Sequence, residues 1–205
     1  MARKFDNEMM GEALDRLAVA VAQVGEKLDV AVYGGSALML ASNFRYASED
    51  VDARVVDRPW PEWLTEAVAR IGRELRLDED WFNDGVLFHL SRHASDETDH
   101  VEFGTFPRGA AEVGLRVFVP TAEYMLALKL KAMRVLDPAK GAQEAADIRN
   151  LMRVVGVDTP EEAIELMGRY FPQSASSPEK QRFLLRHVLT GEEDRDAPEY
   201  PIPGV

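Results

Sequence analysis

The segment Tyr33-Gly34-Gly35-Ser36, followed after thirteen residues by Asp50-Val51-Asp52-Ala53, carries the residue types that metal-assisted phosphoryl chemistry needs. Glycines at the end of an extended run let the backbone come close to a phosphate, and a helix starting there offers unpaired N–H groups and the positive end of its dipole to the same anion. The Ser36 hydroxyl adds a further donor. Asp50 and Asp52 are two residues apart, so on a strand both side chains leave the same face and their oxygens converge. Two adjacent carboxylates repel unless a cation lies between them. Magnesium suits that role, because it takes oxygen ligands from one or two carboxylates and from substrate phosphates. A nucleoside triphosphate held at Gly34, Gly35 and Ser36 then presents its α-phosphorus beside the metal, where an acceptor hydroxyl attacks in line. The expected chemistry is nucleotidyl transfer.

The elements that must position these groups follow from periodicity. Leu14, Leu17, Val21, Val24 and Leu28 recur at three- and four-residue spacing, predicting an amphipathic helix within 6–28. Val30 to Tyr33 reads as a strand stopped by Gly34-Gly35, residues 36–43 as a helix, and residues 51–56, which alternate polar with apolar, as a second strand. Pro61-Glu62 opens a helix reaching about Leu75. Residues 78–100 have no clear period, whereas Val101-Glu102-Phe103 and Leu115 to Val119 predict later strands, the last ended by Pro120. Beyond it the pattern is helical, with starts at Thr121, Asp137-Pro138, Thr159-Pro160 and Ser177-Pro178. Residues 191–205 are acidic and contain Pro198, Pro201 and Pro203, predicting a solvated tail. The expected fold class is α+β: a small mixed β-sheet with helices packed on one face over 1–120, a helical C-terminal region over 121–190, and a flexible acidic tail over 191–205.

Composition narrows the function classes. With 46% apolar and 29% charged residues, the 205-residue chain can bury a core. A net charge of −12 argues against non-specific coating of nucleic acid, so a polyanion must use a local basic patch. One such segment is 125–153, where Lys129, Lys131, Arg134, Lys140, Arg149 and Arg153 face three acids. With no cysteine, thiolate metal sites and thiol nucleophiles are excluded. His89 and His93 are four apart, but the protease glutamate and a third ligand are missing, so zinc is not expected. Acid at Asp6 precedes any apolar run, and the longest near-apolar stretch, 17–24, is too short for a bilayer, so a cytoplasmic protein without a signal peptide or membrane contact is expected.

The glycine-glycine-serine turn and the Asp-x-Asp strand resemble the signature of the nucleotidyltransferase superfamily with the DNA-polymerase-β-like fold. More narrowly, Trp81 to Asp84, Leu115 to Tyr124, Ala127-Leu128-Lys129-Leu130, Arg134 and Asp147-Ile148 resemble the small bacterial AbiEii- and MenT-type toxin nucleotidyltransferases, over about residues 30–153. The resemblance implies Gly34, Gly35 and Ser36 at the triphosphate, Asp50 and Asp52 as magnesium ligands, Lys129 neutralising phosphate charge, and Asp147 near the nucleotide or acceptor. It also implies a cleft, with phosphate and metal on the sheet side and Lys129 and Asp147 on the helical side. A third metal-binding acid is frequent in the superfamily, and Glu102 is the candidate here. The acceptor so implied is an RNA or tRNA 3′ end, and the setting a toxin with a cognate antitoxin protein. Two other functions stand beside this one: a catalytically weak nucleotide-binding regulatory module, and a nucleotidyltransferase acting on a protein or small molecule.

Overall fold

A computed structural model describes residues 5–110, 114–191 and 196–204. The chain divides into two compact units, the first made of residues 1–88, 100–120 and 201–205 and the second of 89–99 and 121–200.

The first unit contains α1 (Asn7–Gln23), β1 (Leu28–Val32), α2 (Gly34–Ala41), β2 (Val51–Val55), α3 (Glu62–Leu75), β3 (Phe82–Asn83), β4 (His100–Phe106) and β5 (Leu115–Pro120). Among the described residues the strands form one five-stranded sheet in the order β3-β2-β1-β5-β4. It is mixed, as expected: β1 runs parallel to β5 and antiparallel to β2, while β4 and β5 are antiparallel. Helices α1 and α2 pack on it, and α3 packs on α1. Asp6 caps α1 by accepting the Met9 N–H at 2.9 Å, and Leu14, Leu17, Ala18 and Val21 form its buried stripe. On β2 the burial alternates: Val51, Ala53 and Val55 are buried, Asp52 and Arg54 only half so. The strand therefore turns its apolar face to the core and its charged face away from it.

Residues 78–100 lacked a readable period because β3 has only two residues, too few to show one. Its neighbour Trp81 is the anchor, fully buried and donating its indole N–H to the Val68 carbonyl at 3.0 Å.

The end of the chain departs from the expected solvated tail. Its acidic run 192–195 lies outside the described residues. Over 201–204, proline leaves two N–H groups, and both are used: Ile202 donates to the Ala41 carbonyl at 2.8 Å and Gly204 to the Phe103 carbonyl at 2.6 Å. The first acceptor is an orphan at the C-terminus of α2, and the second belongs to a bulge in the edge strand β4 between Glu102 and Gly104. Composition reports the prolines but not the acceptors waiting for them.

The second unit is helical: α4 (Ala122–Ala132), α5 (Gly141–Val155), α6 (Pro160–Tyr170), the single turn α7 (Pro172–Ala175) and α8 (Glu179–Leu189). Thr121 caps α4, and Thr159 with Glu162 forms a complete capping box on α6. The start expected at Asp137 falls later, at Gly141. Asp137 instead accepts the N–H groups of Ala139 and Lys140, closing a turn that leads into the helix. No helix among the described residues is long and apolar enough to cross a membrane.

Candidate active site

Tyr33 ends β1 and is the residue from which the candidate site is built. Its N–H donates to the Asp52 carbonyl at 2.8 Å, extending the β1–β2 pairing by one rung. Its own carbonyl accepts the first bond of α2, from the Ala37 N–H at 3.2 Å. What the sequence reads as a turn before a helix is thus the first turn of the helix itself, with Gly34 in the left-handed region at φ +64°. Tyr33 is the N-cap and makes no side-chain cap, so its side chain leaves the opening amides of α2 uncovered.

Two glycines matter here for different reasons. A Cβ on Gly34 would lie 3.2 Å from Asp52 Oδ2, so the missing side chain brings the Asp52 carboxylate against the turn. A Cβ on Gly35 would lie 2.6 Å from Arg45 Nη2 and 3.2 Å from Ser48 Oγ. The cradle is therefore flanked by a carboxylate beside Gly34 and by a guanidinium with a hydroxyl beside Gly35.

Arg45 and Ser48 are the residues that sequence reasoning passed over. Both lie in the loop between α2 and β2, which has no period to read. The loop is held by local bonds, from Arg45 Nε to the Ala47 carbonyl at 3.2 Å and from Ser48 Oγ to the Asp50 carbonyl at 3.0 Å. It is also pinned by an antiparallel bridge between Ser48 and Phe5, whose ring is buried against Trp81. The only signal available in advance was a cation and a hydroxyl just ahead of the Asp-x-Asp strand.

The expected site residues fall as follows. Asp52 is half-buried on the charged face of β2, and exposed Asp50 precedes the strand, with buried Val51 between them. Ser36 is 1% exposed and donates its hydroxyl to the Tyr33 carbonyl at 2.9 Å, so its side chain braces the turn. Glu102 is corrected as a third ligand. It sits on β4, three strands from β2, a separation of about 14 Å at ordinary interstrand spacing. Its nearest cation is Arg116 at 3.9 Å. Among the described residues no group of three His, Asp or Glu side chains is placed to hold a metal.

Lys129 and Asp147 belong to the second unit. The Lys129 ammonium lies 2.8 Å from Asp147 Oδ2 and 3.2 Å from Glu144 Oε1. Asp147 is fully buried, and its other oxygen accepts from Gln143 Nε2 at 2.9 Å. Arg134 approaches Glu144 at 3.6 Å. This is a satisfied ion cluster joining α4 to α5, and Glu144 is a member that the sequence reading did not single out.

The carboxylate beside Gly34 is of the donor chemistry that magnesium takes: Asp52 supplies hard oxygens there, and the glycine leaves room beside it that a Cβ would fill. No family model matches the chain, and no curated protein matches it. Among solved structures, the chain is similar to the crystal structure of an antigenic nucleotidyltransferase-like protein from Paracoccidioides brasiliensis, at 13% identity over 94% of this chain and 97% of that one, with a TM-score of 0.45. What the site can do follows from its own residues.

Proposed function

We propose that the protein is a magnesium-dependent nucleotidyltransferase that moves a nucleoside monophosphate from a triphosphate to an acceptor hydroxyl, with an RNA 3′ end as the acceptor class. The observation that supports it most is the Asp52 carboxylate placed against the Gly34 turn at the head of α2. Asp50 and Asp52 would hold the magnesium ion, which when bound supplies positive charge at the α-phosphate and a template for the acceptor oxygen. The opening amides of α2 and the Arg45 guanidinium take up triphosphate charge. The acceptor hydroxyl oxygen forms a bond to the α-phosphorus and gives up its proton to solvent water, while the bond from that phosphorus to the α–β bridging oxygen breaks and its electron pair leaves with pyrophosphate. Lys129 and Asp147 hold the α4–α5 pair together. The setting that the sequence resemblance implies, a toxin restrained by a partner protein in the cytoplasm, belongs to the same proposal.

A two-carboxylate rather than three-carboxylate site also favours a second reading, a nucleotide-binding module without turnover. One experiment separates the two. The protein is incubated with each of the four α-labelled nucleoside triphosphates, magnesium and total tRNA, and binding of the same triphosphates is measured by calorimetry. Label entering the tRNA is the expected result. Binding without labelling supports the module, label on protein or small molecules changes the acceptor, and neither binding nor labelling removes every nucleotide reading.

A further inference from the structure

Tyr33 presents one more set of contacts that the reaction scheme does not use. Its hydroxyl lies 2.9 Å from His100 Nε2 and accepts a long bond, 3.4 Å, from Arg54 Nε. His100 meets the Tyr33 ring edge-on, with centroids 5.6 Å apart and planes at 90°. Both side chains are buried, Tyr33 at 1% and His100 at 9% exposure. The bond spans the sheet. Tyr33 follows β1, His100 opens β4, and β5 lies between them, where Pro120 pairs with His100. A buried phenol usually finds a partner, but here it finds two from different strands, one of them on the same strand and the same face as Asp52.

We infer that Tyr33 is a positioning residue that fixes the Gly34–Gly35 cradle in register with Asp52. Its main chain touches both parts, through the bond to the Asp52 carbonyl and the bond from Ser36 Oγ. Backbone bonds fix the main chain of the residue at the strand end, and the hydroxyl adds side-chain ties from the same residue to β4 and to Arg54 on β2. Preorganisation of this kind acts on the coupling between two ligands, here the anion and the cation, rather than on either one alone. The inference rests on the proposed cradle and two-carboxylate site.

The test uses inorganic tripolyphosphate, which carries no base, titrated into the full-length protein by calorimetry with and without magnesium. In the wild type, magnesium strengthens binding. Tyr33→Phe is expected to weaken binding about tenfold with magnesium, the scale of one lost buried hydrogen bond, but by no more than about twofold without it. A merely structural loss would lower both equally. Equal losses, or no loss, overturn the role of Tyr33 while leaving the site standing; wild-type protein that binds no tripolyphosphate, or binds it indifferently to magnesium, overturns the site and the inference together. Should Tyr33→Phe fail to fold, His100→Ala is expected to reproduce the magnesium-selective loss and His100→Gln, which keeps a polar group near the phenol, to restore part of it. An identical response in the two His100 variants counts against the inference.

Discussion

Replacing Asp52 with Asn is expected to lower magnesium-dependent labelling of the acceptor by at least about a thousandfold, because a metal ligand acts on transition-state charge worth several kcal/mol. The folded state should barely notice. Asp52 is half-buried, Asn is nearly its shape, and its backbone bond to Tyr33 is untouched, so the melting temperature should stay within about 3 °C. Activity measured beside thermal unfolding checks both halves. Labelling that persists within tenfold of wild type would move the metal away from β2.

The second large effect concerns stability. Lys129→Met removes an ammonium that faces both Asp147 and Glu144, all three side chains being no more than 7% exposed. Breaking a buried ion pair from one side strands the other charge, at a cost of about 3–5 kcal/mol. Urea unfolding followed by circular dichroism should register that loss. Adding Asp147→Asn to Lys129→Met should recover a large part of it, because the fully buried one of the two stranded carboxylates is then neutral and Glu144 keeps Arg134 at 3.6 Å. A Lys129 that served only substrate phosphate would give the opposite pattern, unchanged stability with a raised KM for the triphosphate.

How far these assignments were legible in the sequence depends on whether a residue's partner is local. The alternation over residues 51–56 announced a strand with one charged face, and the structure has it over Val51–Val55, with Asp52 and Arg54 on that face. Pro120 and Thr121 marked the change from strand to helix, and β5 ends and α4 begins there. Arg45 and Ser48 were hidden because loops carry no period, and their meeting with Gly35 depends on a bridge to Phe5 some forty residues earlier. Glu102 failed for a topological reason. Its strand was foreseen, but strand order is set by crossovers, and these put β1 and β5 between it and Asp52. Ser36 had the right place with a different duty, since its hydroxyl satisfies the nearest carbonyl before any ligand arrives. Lys129 shows the same limit from the other side: its position was noted, but Glu144 and Asp147, three apart on the next helix, are what its charge meets.

The central claim is that Asp50 and Asp52 share one divalent cation beside the Gly34 turn. Manganese, a spectroscopically visible stand-in for magnesium, tests it most directly by electron paramagnetic resonance titration in the presence of tripolyphosphate. One tightly bound ion per chain is expected in the wild type, lost in Asp50→Asn and in Asp52→Asn and kept in Glu102→Gln. Tight manganese binding that survives either aspartate replacement, or that disappears with Glu102→Gln, contradicts the account.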